Sequence, residues 1–211
     1  NIEALDYLNA QDSAPSRTLT DWDRTHRLVL APSYELPFGP GRRFLANSNP
    51  VVRRVVGGWQ FVMTTTMQSG DPMAIPGNVY LLGDPKLENP TWDRLFRTGV
   101  IDVNGTVRNV LQGEQPVFAI RPNFTLRTTP LRYGHIRNQF ATTYDASLIK
   151  NTRFGERGYN FQFKAEFLNT LNRAQLPAPN TDPRNALFGE IRANNQSNYP
   201  RRIQLTAKFI F

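Results

Sequence analysis

The chain has 211 residues, of which 39% are hydrophobic and 11% aromatic, and this content of large apolar side chains excludes a disordered protein. Its 25 Lys and Arg against 17 Asp and Glu give a net charge of +8, which fits a nucleic-acid binder, a protein at an anionic membrane surface, or part of a longer protein. The absence of cysteine excludes disulfides and thiolate metal sites.

Residues 1–24 show no clear hydrophobic period and are predicted to be a loop or the remnant of a preceding strand. They contain neither Met nor a signal sequence, so we expect a piece of a longer precursor. Asp21 and Asp23 stand two positions apart but lack the glycine and distal Glu of a calcium loop, and they are interpreted as loop residues.

The first two predicted strands are 26–37 and 57–69. In the second, Trp59 and Phe61 alternate with polar residues, although Val62 interrupts the pattern. Such a period of two predicts a strand with one apolar and one polar face. The connection 37–54 between the two strands contains some of the tightest basic groups of the chain, "GRR" and "RR".

The next connection, 70–142, is the longest. Tyr80, Trp92 and Phe96 lie there among polar and turn residues. Two roles remain open for these aromatic side chains: contact with a ligand, or packing within the loop and against its surroundings. The pattern favours packing, and the substrate is not readable from these residues.

Two more strands, 143–153 and 159–169, are joined by the short turn "RFGERGY". In the second of them the aromatic residues fall on one face and the polar residues on the other. Lys164 and Glu166 share the polar face, and Asp145 of the neighbouring strand is a candidate cross-strand partner for Lys164 or an arginine.

After the connection 170–201, the last strand, 202–211, again alternates apolar with polar residues up to Phe209 and Phe211, with Ile210 as the exception. A terminal aromatic residue resembles the signal by which assembly machinery recognises outer-membrane barrels. The terminus is therefore predicted to be an ordered strand, although chain ends commonly fray.

Strand length indicates a transmembrane β-barrel, because the predicted strands reach about ten residues or more, whereas strands of soluble sheets have about five or six. The fold class is predicted to be all-β, with 25–211 as the C-terminal portion of an antiparallel barrel of about five or six long strands. The short turn would then be periplasmic, and the connections of about 70–142 and 170–201 would be outer loops.

Aromatic residues gather near the ends of the strands that would be periplasmic. Such residues form girdles where a barrel meets the membrane interface. The residues assigned to this lipid-facing girdle and to the assembly signal are Trp59, Phe61, Tyr159, Phe161, Phe163, Phe209 and Phe211.

Four segments together resemble the C-terminal barrel end of TonB-dependent outer-membrane receptors, in particular the Oar-like group that often carries a carboxypeptidase-regulatory-like domain. The segments are "DRTHRLVLAPSYELPFGPGRRF" at 23–44, "GGWQFVMTTTMQSGDPM" at 57–73, "YDASLIKNTRFGERGYNFQFKAEFLNTLNRAQLPAPNT" at 144–181, and the closing "FGEIRANNQSNYPRRIQLTAKFIF".

The resemblance implies a place in the bacterial outer membrane and a contribution to substrate uptake. The full barrel of such receptors has 22 strands and a plug. It also implies partners: membrane lipid, the remainder of the barrel and its plug, TonB through the missing N-terminal part, and the barrel-assembly machinery. Nucleic acid is not expected as a partner, because the basic residues are spread through the chain.

Residues for chemistry are sparse. His26 and His135 are far apart in sequence, and no nucleophile, phosphate loop or acid/base pair is recognisable, so we expect no enzyme, no metal and no cofactor. Two other function classes remain as alternatives: a structural or interaction protein whose strands pair with another chain, and a soluble basic β-sheet module.

Overall fold

A computed structural model describes residues 2–155, 158–192 and 196–211. The strands of this part of the chain are β1 (Glu3–Asp6), β2 (Ser16–Leu19), β3 (Arg27–Leu30), β4 (Ser33–Glu35), β5 (Trp59–Gln68), β6 (Pro72–Ala74), β7 (Val79–Leu81), β8 (Val100–Ile101), β9 (Val107–Arg108), β10 (Phe118–Ile120), β11 (Arg132–Arg137), β12 (Ala141–Phe154), β13 (Tyr159–Leu168) and β14 (Arg202–Ile210). One helix, α1 (Pro50–Val56), precedes β5. The all-β fold class is confirmed.

The chain divides into two compact units. Unit 1 consists of residues 1–27, 68–141 and 175–197. Unit 2 consists of residues 28–67, 142–174 and 198–211.

Unit 2 contains a six-stranded sheet in the order β14-β13-β12-β5-β3, with β4 also paired to β5. Every predicted strand lies in this sheet. The first predicted strand, 26–37, is divided into β3 and β4 around Pro32, which has no N–H for a ladder hydrogen bond. The Pro32 carbonyl instead accepts a hydrogen bond from the backbone N–H of Met63 at 3.0 Å.

The register of β12, β13 and β14 fixes which residues share a face. Gln162 lies opposite Asn151 on one side and Lys208 on the other, whereas Phe163 lies opposite Lys150 and Ala207. Because directly paired residues point to the same side of a sheet, the alternation within each strand adds up to one polar face and one largely apolar face.

Unit 1 is built from short strands around its own hydrophobic core. The segment 70–142, predicted to be a long loop, contains the strands β6 to β10, β11 and the start of β12, while the first 24 residues contain the antiparallel pair β1 and β2. The rings of Phe96, Phe118 and Phe188 meet edge to face at centroid distances of 5.3 to 5.9 Å. The core comprises Met73, Ile75, Val79, Phe96, Val100, Val117, Phe118, Ile120, Tyr133, Ile136 and Phe188.

Helix α1 was not predicted, although its ends carry recognisable signals. The Asn49 side chain caps the first turn by accepting from the Val52 N–H at 2.8 Å, and Pro50 occupies the first turn, where its missing N–H costs nothing. After the helix, Gly58 has φ +72, and a Cβ there would lie 2.3 Å from the Asn151 carbonyl oxygen. Only glycine fits this entry into β5.

Candidate membrane-facing site

An aromatic cluster lies at the end of the unit 2 sheet where β12 and β14 finish and β13 begins. The Phe209 ring is 5.5 Å from Phe154, 6.0 Å from Tyr159 and 6.2 Å from Phe211, measured between centroids. The structure therefore brings together three of the predicted girdle residues, Tyr159, Phe209 and Phe211. Phe154 joins them from β12.

Phe161 and Phe163 continue the same face along β13. Phe161 lies directly opposite Phe209 in the ladder, and Phe163 lies opposite Ala207. The Phe161 side chain is 40% exposed, so nothing within the described part of the chain covers it fully. The two residues extend the apolar face away from the aromatic cluster.

Trp59 and Phe61 lie on β5, two strands away from β13. The Trp59 indole N–H donates to the Val55 carbonyl at 2.9 Å, which ties the first residue of β5 to the end of α1. Phe61 lies opposite Tyr34 of β4 and is exposed to the same degree as Phe161. The seven predicted residues thus lie on one sheet but form no single cluster of touching rings.

Away from the end where Lys150 contacts α1, the described residues leave the apolar face partly open. Among the described residues of unit 2, Ala146 and Ala165 are the only buried apolar side chains, and every residue of β14 is exposed. An apolar surface of this kind is favourable only if lipid or another protein removes it from water.

The opposite face carries a polar network. The Asn151 side-chain oxygen accepts hydrogen bonds from Asn160 at 3.2 Å and from Gln162 at 3.0 Å. Lys164 pairs with Glu166 of its own strand at 2.6 Å. The predicted cross-strand pair of Asp145 with Lys164 or an arginine was therefore wrong, because Lys164 pairs with Glu166 instead.

Asp145 serves the end of β13 instead. Its carboxylate accepts the Asn169 backbone N–H at 2.8 Å, and Asn169 has a positive φ of 51°. The Asn169 side chain in turn donates to the Tyr199 carbonyl at 3.0 Å. Asp145 and Asn169 thereby hold the turn at which the chain leaves β13 and the segment from which it returns to β14.

A cleft of about 1280 Å³ lies at the same end of the sheet as the aromatic cluster, between the 35–42 segment, α1 and the ends of β5, β12 and β13. Its charged lining residues are Glu35, Arg42, Arg53, Arg54, Lys150 and Arg153. The sequence reasoning missed this cleft. The one available signal was the pair of basic groups in the connection before β5.

Lys150 has a structural role in this cleft. Its ammonium group donates to the Arg54 carbonyl at 2.7 Å and also to the Gly57 carbonyl, so it satisfies carbonyls at the end of α1 that have no partner within the helix. Lys150 therefore fixes α1 against β12, although the helix and the strand are far apart in sequence.

Unit 1 has a buried ion pair at a residue that was interpreted as part of a simple loop. Asp23 is only 1% exposed, and its carboxylate accepts from Arg137 at 2.5 Å and from the Ile2 backbone N–H at 2.6 Å. The Arg137 hydrogen bond, more than any other contact, lowers the pKa of Asp23 below its ordinary 3.8. The pair ties β11 to the segment before β3.

Another ion pair holds the interior of unit 1. Arg94 and Glu114 form a two-pronged pair, with one contact of 3.1 Å, and the Arg94 hydrogen bond lowers the pKa of Glu114. Arg127 donates to the carbonyls of Ile75, Thr129 and Pro130 at 2.7 to 3.0 Å, and burial lowers its pKa. These contacts fix long connecting segments in one conformation.

The predicted loop aromatics divide between two environments. Tyr80 and Phe96 are buried in unit 1, as the packing interpretation predicts, whereas Trp92 is exposed. In residues 2–155, 158–192 and 196–211, no group of three or more His, Cys, Asp or Glu side chains could hold a metal ion. The same residues contain no helix that is both long enough and apolar enough to cross a membrane.

Comparison with known families agrees with the two-faced sheet. The family model for the outer membrane beta barrel domain matches residues 2–204, which is nearly the whole chain. No curated protein and no solved structure matches it. The family implies a location in the bacterial outer membrane. The chain therefore belongs to the outer membrane beta barrel domain family.

Proposed function

We propose that this chain is the C-terminal part of the barrel of a TonB-dependent outer-membrane receptor of the Oar-like type, in which it supplies wall strands and extracellular loops for substrate uptake. It acts without catalysis and without a cofactor. Its partners are outer-membrane lipid, the remaining barrel and plug, TonB through the part of the receptor that precedes it, and the barrel-assembly machinery.

The observation that carries this proposal is the difference in length between the connections at the two ends of the sheet. The connections 69–140 and 169–201 leave the antiparallel sheet at one end, and most of their residues belong to unit 1, which has its own core. At the other end only four residues separate the end of β12 from the start of β13, and the helix-containing segment 36–58 separates β4 from β5. Connections that are longer on one side of the sheet than on the other are typical of outer-membrane barrels, although the segment 36–58 is long for a periplasmic turn.

In this proposal residues 25–211 are the barrel segment, with about 70–142 and 170–201 as outer loops, and 1–24 are a loop or the remnant of a preceding strand. A folded outer unit suits ligand capture better than a flexible loop, because preformed sites lose less entropy on binding. Unit 1 contains a cleft of about 480 Å³ lined in part by His135, Lys86 and Phe140, a size that suits a small ligand.

A second candidate function follows from the edge of the sheet. β14 pairs with β13 along one side, and all of its residues are exposed. A separate chain that adds strands to this edge would make the protein an interaction module with barrel-like strands. The size of the polypeptide found in the membrane fraction distinguishes the receptor from the interaction module.

The test uses an antiserum raised against residues 84–98, which lie in the longer connection. We expect it to label intact cells and to detect, in the outer-membrane fraction, one polypeptide large enough for a barrel of about 22 strands. Deleting the gene should abolish uptake of the same nutrient that becomes inaccessible when the TonB gene is deleted. A band near 24.1 kDa would favour the interaction module, and labelling only after permeabilisation would overturn the outer position of the loops.

A further inference from the structure

The cleft of unit 2 contains more positive charge than the protein itself neutralises. Within the described residues, Arg42 pairs with Glu35, but no ion pair involves Arg53, Arg54 or Arg153. The Nε of Arg53 is buried without a hydrogen-bond partner. Guanidinium groups without an acidic partner give this cleft a positive potential that attracts anions.

The same cleft also exposes apolar side chains. Val51 and Val55, one turn apart on α1, line the cleft and are 71% and 61% exposed. Phe44 and Leu45, in the loop before the helix, are exposed as well, and the Arg43 guanidinium lies over the Phe44 ring at 5.4 Å. Basic and apolar side chains interleaved on a short helix and its loop are typical of segments that lie in a membrane interface.

Position at the sheet end agrees with this chemistry. The aromatic cluster around Phe209 lies at the same end of the sheet, where Lys150 of β12 joins the end of α1 to the face that carries Phe163. In an outer-membrane barrel this end, with the shorter connections, faces the periplasm. The cleft therefore lies at the height of the phospholipid headgroups of the inner leaflet.

We propose that Arg53 and Arg54 bind the phosphate of an anionic phospholipid of the inner leaflet, while Val51 and Val55 contact its glycerol and upper acyl region. Guanidinium groups match two phosphate oxygens at once, which a lysine does not. The exposed valines favour a lipid over free phosphate, because inorganic phosphate leaves them in water. The proposal rests on the membrane location of the family and is independent of transport.

The test uses Trp59, which lines the cleft, as a reporter. The full chain carrying Trp22→Phe and Trp92→Phe keeps Trp59 as its single tryptophan, because the sequence contains three. It is reconstituted in phosphatidylcholine bilayers that contain equal fractions of brominated phosphatidylglycerol or brominated phosphatidylcholine. Quenching of Trp59 then reports which lipid is enriched at the cleft.

We expect stronger quenching by brominated phosphatidylglycerol, and we expect the variant Arg53→Gln/Arg54→Gln to lose this preference by about fivefold per arginine. The matched control Arg184→Gln/Arg192→Gln removes the same charge from unit 1 and should leave the preference unchanged. Arg53→Lys/Arg54→Lys keeps the charge and the helix but removes the two-pronged match to phosphate, so it should also lower the preference severalfold, which keeps the test valid if the Gln variant unfolds α1.

Three results would overturn the proposal. Equal quenching by the two brominated lipids would exclude a headgroup site. An equal loss of lipid preference in the control variant would show that net charge, and not the cleft, causes the effect. A parent chain that inorganic phosphate stabilises against heat through Arg53 and Arg54, without any lipid preference, would have a soluble-phosphate site instead.

Discussion

Unit 1 and unit 2 obtain their stability in different ways. Unit 1 uses strands of two to six residues and buries eleven apolar residues in one core. Unit 2 uses strands of up to 14 residues, yet among its described residues only two alanines are buried apolar side chains. The first unit carries its own apolar interior, whereas the second presents apolar residues outward.

The difference shows which solvent each unit is built for. A sheet whose backbone groups pair in long ladders and whose apolar face is open is stable in lipid, where the hydrophobic effect no longer penalises that face. A unit with short strands needs a dry core and ion pairs of its own in water. Changes inside unit 1 should therefore act on its core, and changes on the sheet should act on contact with the membrane.

The largest effect is expected from Phe118→Ala in the core of unit 1. Phe118 is fully buried between Phe96 and Phe188, and its truncation leaves a cavity that costs about 3 to 5 kcal/mol. Hydrogen exchange of the full chain should show faster exchange in β7, β8 and β10, with β13 unchanged. Phe124→Ala is the control, because Phe124 is fully exposed. Loss of protection in both units together would mean that the two are not stabilised separately.

Next in size is Asp23→Asn, which leaves the Arg137 guanidinium without its carboxylate in a buried place. Breaking such a pair costs about 3 kcal/mol or more. Asp21→Asn is the matched control, because the Asp21 carboxylate is mostly exposed and comes no closer than 3.8 Å to the Arg132 guanidinium. Thermal melts, together with hydrogen exchange of the β11 amides, measure the difference in stability between the two variants.

The same pair predicts a pH dependence. The folded-state pKa of Asp23 lies below the ordinary 3.8, so the stabilisation is complete above pH 3.8 and is lost as pH falls through the folded pKa. Asp23→Asn should therefore have a flatter stability profile below pH 4 than the parent chain. Parallel profiles for the two proteins would show that the pair contributes nothing to acid sensitivity.

The two units also differ in how far the sequence predicts them. Long strands repeat their alternation often enough to be recognised, so the two faces of the sheet and five strands were predictable, one of which the structure divides into β3 and β4. The strands of unit 1 are too short to show a period, and their core joins residues as distant as Met73 and Phe188. Sequence patterns report local order, and a core of this kind is set by long-range packing.

The candidate site divides in the same way. Aromatic residues at strand ends were visible from spacing, and Tyr159, Phe209 and Phe211 do come together. The arginine cleft was not predictable, because Arg53 and Arg153 lie 100 positions apart in the sequence and line one cleft only through the pairing of β5 with β12. Helix α1 was predictable in principle from Asn49, Pro50 and the glycines that follow it.

A smaller effect is expected from Phe161→Asp on the apolar face. Phe161 and its cross-strand partner Phe209 face the proposed lipid side, and an aspartate there loses apolar contact and must be desolvated, at about 2 kcal/mol. Gln162→Asp is the matched control on the polar face, directly opposite Lys208. Urea unfolding in phospholipid vesicles compares the two. Equal tolerance of both substitutions would remove the lipid-facing assignment of Phe161.

The smallest effect on stability, and a larger one on assembly, is expected from deletion of Phe211. The Phe211 ring is 94% exposed and touches Phe209, with centroids 6.2 Å apart, so its removal leaves the β13–β14 ladder intact. Burying one such ring in lipid is worth at most about 1.5 to 3 kcal/mol, and less at the interface. A recognition signal instead acts on the rate of insertion, so outer-membrane yield should fall far more than the melting temperature of the protein that does insert. The comparison uses the natural gene product with and without Phe211, and Phe211→Tyr as the control that retains an aromatic ring at this position. Equal yields from all three proteins would reduce Phe211 to one more packing residue and remove the proposed assembly signal.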